Sequence, residues 1–339
     1  MHVTSHSRAA QAAYLDLLRF HLDQTASELI GSIEERVRNG RHYLYDKFRI
    51  GTAMKSRYLG EGTPELRARL ARAVELKTQA EGRKATMARL ARVLRAEGFI
   101  PTDRDTGSLL LAFARAGVFR LGGTLVGTAA YALYQGELGV RFDSEDLART
   151  GDIDFTRFER LSVSLGDTVE ENPGDILQAL TFDPVPGLQD RQVWKWRQSR
   201  GEALVEFLTP AFGEERVRPL PALGVSAQGL NYLNFLIAEP IPAIALYRSG
   251  VLVQIPRPER FAIHKLIVAD RRWGGPQQAK ARKDLGQAAF LIQVLAKDRP
   301  EDLRDAYRDA RASGPRWRDR IDASLARLPD TAQILRGLG

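Results

Sequence analysis

The chain contains no cysteine, which excludes disulfides, thiolate zinc sites and cysteine nucleophiles and fits a cytoplasmic protein. It has no run of eighteen apolar residues, so no segment reads as a membrane span. The stretch after Met1, from His2 to Arg8, is polar and shows no signal-peptide pattern. Internal repeats and low-complexity tracts are absent too. What remains is 339 residues with 44% hydrophobic and 27% charged side chains, the balance of a soluble globular protein large enough for two or three domains. The net charge of +8 and the pI near 9.8 favour anionic partners such as nucleotides or nucleic acid. Arginine greatly outnumbers lysine, which genome composition also produces, so that signal carries half weight.

Residues 1–100 read as a helical N-terminal region. Tyr14, Leu17, Leu18, Leu22, Leu29, Ile33 and Val37 fall near helical spacing and predict one long helix from about Ser7 to Arg38, with His21 packed on or beside its apolar face. Aromatic and basic residues then alternate from Arg41 to Arg49 and around Tyr58, as they do where bases stack beside phosphates. The plainer alternative is a linker pinned by its aromatics. Thr63 and Pro64 predict the start of a second helix running to Glu97. Asp103 and Asp105 read as the acidic start of a third, ended by Gly117.

Residues 101–255 read as a mixed-sheet core and residues 256–339 as a C-terminal helical domain, giving an α+β fold. Within the core, Phe119 to Leu121 predicts a short strand, followed by the turn Gly122-Gly123-Thr124 and an apolar helix to Tyr134. Glycines there let backbone approach a phosphate, and the helix N-terminus would face it. Asp152 and Asp154, two apart, project from one face of a strand. Paired carboxylates with phosphate oxygens suit Mg²⁺. Gln192–Gln198 and Glu202–Leu208 predict a hairpin that puts Glu206 among apolar neighbours, where a carboxylate needs a cation. Ile241–Tyr247 and Val251–Ile255 predict another hairpin, and the helix after Pro258 carries Lys265, Arg271 and Arg272, the first and last on one face.

This order of motifs resembles the DNA polymerase β-like nucleotidyltransferase superfamily: Gly122-Gly123-Thr124, then Asp152-Ile153-Asp154, then a third acid at Glu206. Lys265, Arg271 and Lys283-Asp284 resemble the basic series of its AbiEii-type branch, which includes toxins of toxin–antitoxin pairs. The resemblance spans roughly residues 107–298. It departs from the common pattern in the long gap before Asp152, in glutamate as third acid and in Lys283 where arginine is usual. It implies a metal-dependent enzyme moving an NMP from an NTP to a hydroxyl acceptor, tRNA or another RNA. Asp152, Asp154 and Glu206 would bind Mg²⁺ or Mn²⁺, with Glu206 also serving as base. Gly122, Gly123, Thr124, Lys265, Arg271 and Asp284 would bind the nucleotide, with Lys265 counted among the catalytic groups. An antitoxin or a second copy of the chain would be the protein partner. A non-catalytic nucleotide- or RNA-binding regulator on the same fold is the alternative.

Overall fold

The computed structural model describes residues 3–24, 31–38, 40–50, 53–119, 122–142, 160–164, 173–185, 193–199, 204–220 and 225–338. In chain order these form β1 (Thr4–Ser5), α1 (Arg8–Gln24), β2 (Ser32–Arg38), β3 (Arg41–Ile50), β4 (Ala53–Glu61), α2 (Pro64–Ala96) and α3 (Arg104–Arg115). The core follows with β5 (Thr124–Val126), α4 (Gly127–Glu137), β6 (Val140–Arg141), β7 (Arg160–Ser164), α5 (Pro173–Ala179), β8 (Phe182–Val185), β9 (Lys195–Gln198), β10 (Leu204–Pro210), β11 (Val217–Leu220) and β12 (Val225–Leu230). Then come α6 (Leu233–Leu236), β13 (Ile241–Ala245), β14 (Val251–Ile255), α7 (Pro258–Arg272), α8 (Gln278–Asp298), α9 (Pro300–Ala312), α10 (Pro315–Leu325) and α11 (Pro329–Gly337). This is the expected α+β class. Among the described residues no helix is long and apolar enough to cross a membrane.

The helix boundaries follow local chemistry. Thr63 caps α2 by accepting from the Leu66 amide at 3.2 Å, ahead of Pro64. Asp103 caps α3 by accepting from the amides of Asp105 and Thr106. Proline opens α7, α9, α10 and α11, where its missing N–H is no loss.

The N-terminal region departs from the sequence expectation. The long helix stops at Gln24, and Ser32–Arg38 is a strand. The aromatic-basic stretch is no linker: β2, β3 and β4 form a three-stranded antiparallel sheet. Ile33 and Val37 are four apart, a spacing that puts them on one face of a strand as readily as one face of a helix. Leu44 and Leu59 on this sheet pack with Leu66 and Leu70 of α2, and Phe48 reaches the main core. The far half of α2 (Met87, Ala91, Leu94) packs on Ala10, Tyr14 and Leu17 of α1. His21 is held as expected, its Nε2 3.1 Å from the Ser249 carbonyl, and burial lowers its pKa.

The main sheet is built around β10. It runs parallel to β7 on one side; on the other it pairs antiparallel with β9 over its first half and parallel with β12 over its second. β11 and β5 lie at the ends, both antiparallel to their neighbours. Both expected hairpins are present, β9 with β10 and β13 with β14. The C-terminal helices join the main core through α7, whose Phe261, Ile263, Leu266 and Ile267 are fully buried, each contributing roughly 2 kcal/mol of apolar transfer.

Candidate active site between sheet and C-terminal helices

Alternation along β10 sets one wall of the site. Val205 and Phe207 are fully buried in the core, so Glu206 and Leu208 face the other way, into a cavity of about 490 Å³. Lys265, His264, Arg271 and Arg272 of α7 line the opposite wall, and Val126 and Gly127 the end of it. That volume is in the range of small-ligand sites.

Aromatic packing holds the two walls in place. Tyr131 of α4 stacks on Phe261 of α7 with centroids 6.1 Å apart, and Tyr134 meets the same ring edge-on at 5.2 Å. The Tyr134 hydroxyl donates to the Pro256 carbonyl at 2.9 Å. Lys265 lies one turn beyond Phe261, its ammonium 5.1 Å from that ring.

The charges on the helical wall are paired by design of the fold. Asp284 of α8 accepts from Lys265 Nζ at 2.5 Å and also pairs with Arg272. Burial by itself would raise the Asp284 pKa, but the two cations override it and hold the carboxyl below its ordinary value. Arg271 pairs with Glu215 at 2.6 Å. Burial opposes ionisation of Glu215 as well; Arg271 and the Asn231 amide outweigh it and lower that pKa. His264 is driven to about 3 by burial and by neighbouring Lys265, so it is neutral near pH 7. Across the cavity, Lys195 Nζ sits 3.2 Å from Glu206 Oε1 and 4.1 Å from the Trp194 ring.

The residues singled out in the sequence fall into three groups. Glu206, Lys265, Arg271 and Asp284 converge here from one strand and two helices. Asp152 and Asp154 lie outside the described residues. Gly122, Gly123 and Thr124 do not line the cavity. The expected order of strand and turn is also corrected: Phe119 lies in a turn after α3, the Gly123 amide donates to the Val118 carbonyl, and the strand Thr124–Val126 follows the glycines. A tight Val118 contact explains the second glycine, since a Cβ on Gly123 would lie 2.6 Å from Val118 Cγ1.

Sequence reasoning missed Gly127 and Thr128. The helix begins at Gly127, which has φ +75° and open space where a Cβ would be. Thr128 Oγ1 accepts from Lys283 Nζ at 3.1 Å. The available signal was a glycine–threonine pair directly after the apolar Leu125-Val126 and directly before Ala129-Ala130-Tyr131.

A family described as "Nucleotidyltransferase" matches residues 104–312, the stretch that contains both walls of the cavity. The chain belongs to this nucleotidyltransferase family. Neither a curated protein nor a solved structure gives a match. Membership of this family implies an NTP as substrate. Among its described residues no group of three or more His, Asp or Glu could hold a metal ion. Glu206 nonetheless offers the hard oxygen donor that Mg²⁺ prefers. Asp154 precedes Ser162, the β7 residue directly beside Glu206, by eight positions, a length of chain that spans at most about 28 Å.

Proposed function

We propose that this chain moves an NMP from an NTP to a hydroxyl of an RNA acceptor, in a Mg²⁺-dependent reaction. The observation that carries the reading is the gathering of Glu206, Gly127 and Lys265, the last held by Asp284, around one cavity. Asp152, Asp154 and Glu206 would hold Mg²⁺, which when bound would offset charge developing on the leaving pyrophosphate.

The remaining steps fall to the chain's own groups. The phosphate-cradling role first read at Gly122, Gly123 and Thr124 we assign instead to Gly127 and Thr128. The α4 N-terminus presents free amides there, and Gly127 leaves room for close approach. Lys265 and Arg271 offset triphosphate charge, each kept in place by a carboxylate partner. Glu206 takes the proton of the acceptor hydroxyl as its oxygen attacks the α-phosphorus. The bond from that phosphorus to the bridging oxygen breaks, and pyrophosphate departs. Lys195, 3.2 Å from Glu206 Oε1, holds that carboxylate in position.

The test uses purified protein with labelled NTPs, Mg²⁺ and cellular RNA, alongside the Asp152→Ala/Asp154→Ala double variant. Label should pass to RNA with the native protein alone. Transfer that survives in the double variant discards this mechanism, and nucleotide binding without any transfer leaves a binding protein.

A further inference from the structure

The chain's whole charge excess sits in one stretch outside the matched family region. Residues 32–96 carry sixteen lysines and arginines against seven acidic residues, while the rest of the chain carries 34 against 35. That stretch is the three-stranded sheet and the long helix α2. A surplus confined to one arm is an electrostatic footprint for a polyanion.

The sheet supplies a second and independent feature. Its even-numbered β3 residues, Leu44 and Phe48 among them, face the body. The odd-numbered ones therefore face outward, and strand register lines Tyr45 up opposite Tyr58. Tyr58 is 55% exposed, and none of Tyr43, Tyr45 and Tyr58 joins a hydrophobic core cluster. Ring centroids are 5.4 Å apart for Tyr45 and Tyr58 and 6.2 Å for Tyr43 and Tyr58. The Arg36 guanidinium lies 4.5 Å from the Tyr45 centroid, and Lys47 follows on the same face. Three rings outside every core cluster, Tyr58 exposed and Tyr43 and Tyr45 half-buried, interleaved with cations, form the stacking platform on which unpaired bases sit.

The geometry points to this sheet face as a binding surface for single-stranded RNA, the strand whose hydroxyl the cavity would modify. Duplexes do not suit it, because their bases are already stacked. Ribose is favoured over deoxyribose by the polar acceptors on the same face: Glu34, opposite Tyr45, whose carboxylate pairs with Arg36 and Lys47, and Ser56, opposite Lys47, whose hydroxyl accepts from Arg36 and keeps a further lone pair. A carboxylate repels phosphate but accepts from a 2′-hydroxyl. Naming this RNA the acceptor rests on the nucleotidyl-transfer reading; the binding itself does not.

The experiment is fluorescence anisotropy of the full chain with a labelled, unstructured RNA of about 16 nucleotides, with the DNA of the same sequence and an RNA duplex in parallel. Tyr45→Ala/Tyr58→Ala should weaken RNA binding by about ten- to a hundredfold, and Tyr45→Phe/Tyr58→Phe should retain it. Lys47→Glu/Arg49→Glu, which leaves the rings, should weaken binding and flatten its salt dependence; it decides the matter if the alanine variant does not fold. Asp152→Ala/Asp154→Ala should bind RNA as the native protein does, so loss of transfer with tyrosine-dependent binding intact overturns only the catalytic reading. Native affinity in folded alanine and charge-reversal variants, or equal binding of the duplex or of DNA, overturns the RNA surface.

Discussion

The cavity wall and the N-terminal arm are both rich in arginine and lysine, yet they use charge in opposite ways. On the wall, Lys265 is buried and Asp284 more so, and each cation has a fixed carboxylate partner. On the arm the pairs are exposed: Glu34 is shared by Arg36 and Lys47, and Glu35 by Arg67 and His42. Burial makes a charge a positional device whose loss strands its partner. Exposure makes it part of a field that salt screens and that no single pair decides.

The sharpest way to break this contrast is Asp284→Ala. It leaves Lys265 and Arg272 crowded at a buried site and should cost on the order of 3–5 kcal/mol in urea unfolding. Its pH dependence follows from sign. The folded carboxyl sits below its ordinary value of 3.8, so its contribution is complete above the unfolded value and is lost as pH falls through the folded one. Native protein should therefore lose this stability below about pH 4, and the variant should show no such loss. An unchanged urea midpoint for Asp284→Ala would end the claim that burial makes the wall positional.

A smaller effect is expected where the arm meets the body. A Cβ on Gly136 would lie 2.2 Å from Tyr14 Cε2, so Gly136→Ala should push α1 away from α4. The expected cost is about 1–3 kcal/mol by thermal melting, with no change in nucleotide affinity.

Next comes His6, stacked on Phe99 at 3.8 Å with its pKa lowered to about 4, chiefly by burial and then by Arg141. The unfolded chain takes up its proton first, so stability should decline as pH falls from 6.5 toward 4. His6→Phe keeps the ring and should flatten part of that decline; identical pH profiles would refute it.

The smallest effect is reserved for the arm. Glu35→Gln removes the exposed partner of Arg67 and His42 and should leave the melting temperature unchanged at any ionic strength. A large shift would place the arm's charges in the same class as those of the wall.

Legibility in the sequence tracked how local the cause was. Thr63-Pro64 and Asp103 announced helix starts because capping needs only neighbouring residues. The Glu206 hairpin was readable from alternation. The strand Ser32–Arg38 was not, since Ile33 and Val37 satisfy both periodicities and only pairing with β3 chooses between them. Nor was the glycine at the cavity. Gly122-Gly123 and Gly127-Thr128 both look like phosphate turns, and their order relative to the strand Thr124–Val126 decides which one meets the cavity.

Composition and order alone thus determined the fold class, the charge surplus, most helix starts and the inward aim of Glu206, because propensity, capping and alternation act within a few residues. Tertiary structure decided which glycine faces the cavity, which carboxylate holds Lys265 and which tyrosines share an open face. Those outcomes depend on strand pairing and on aromatic packing between α4 and α7, interactions between residues far apart in the chain whose energies no local pattern encodes.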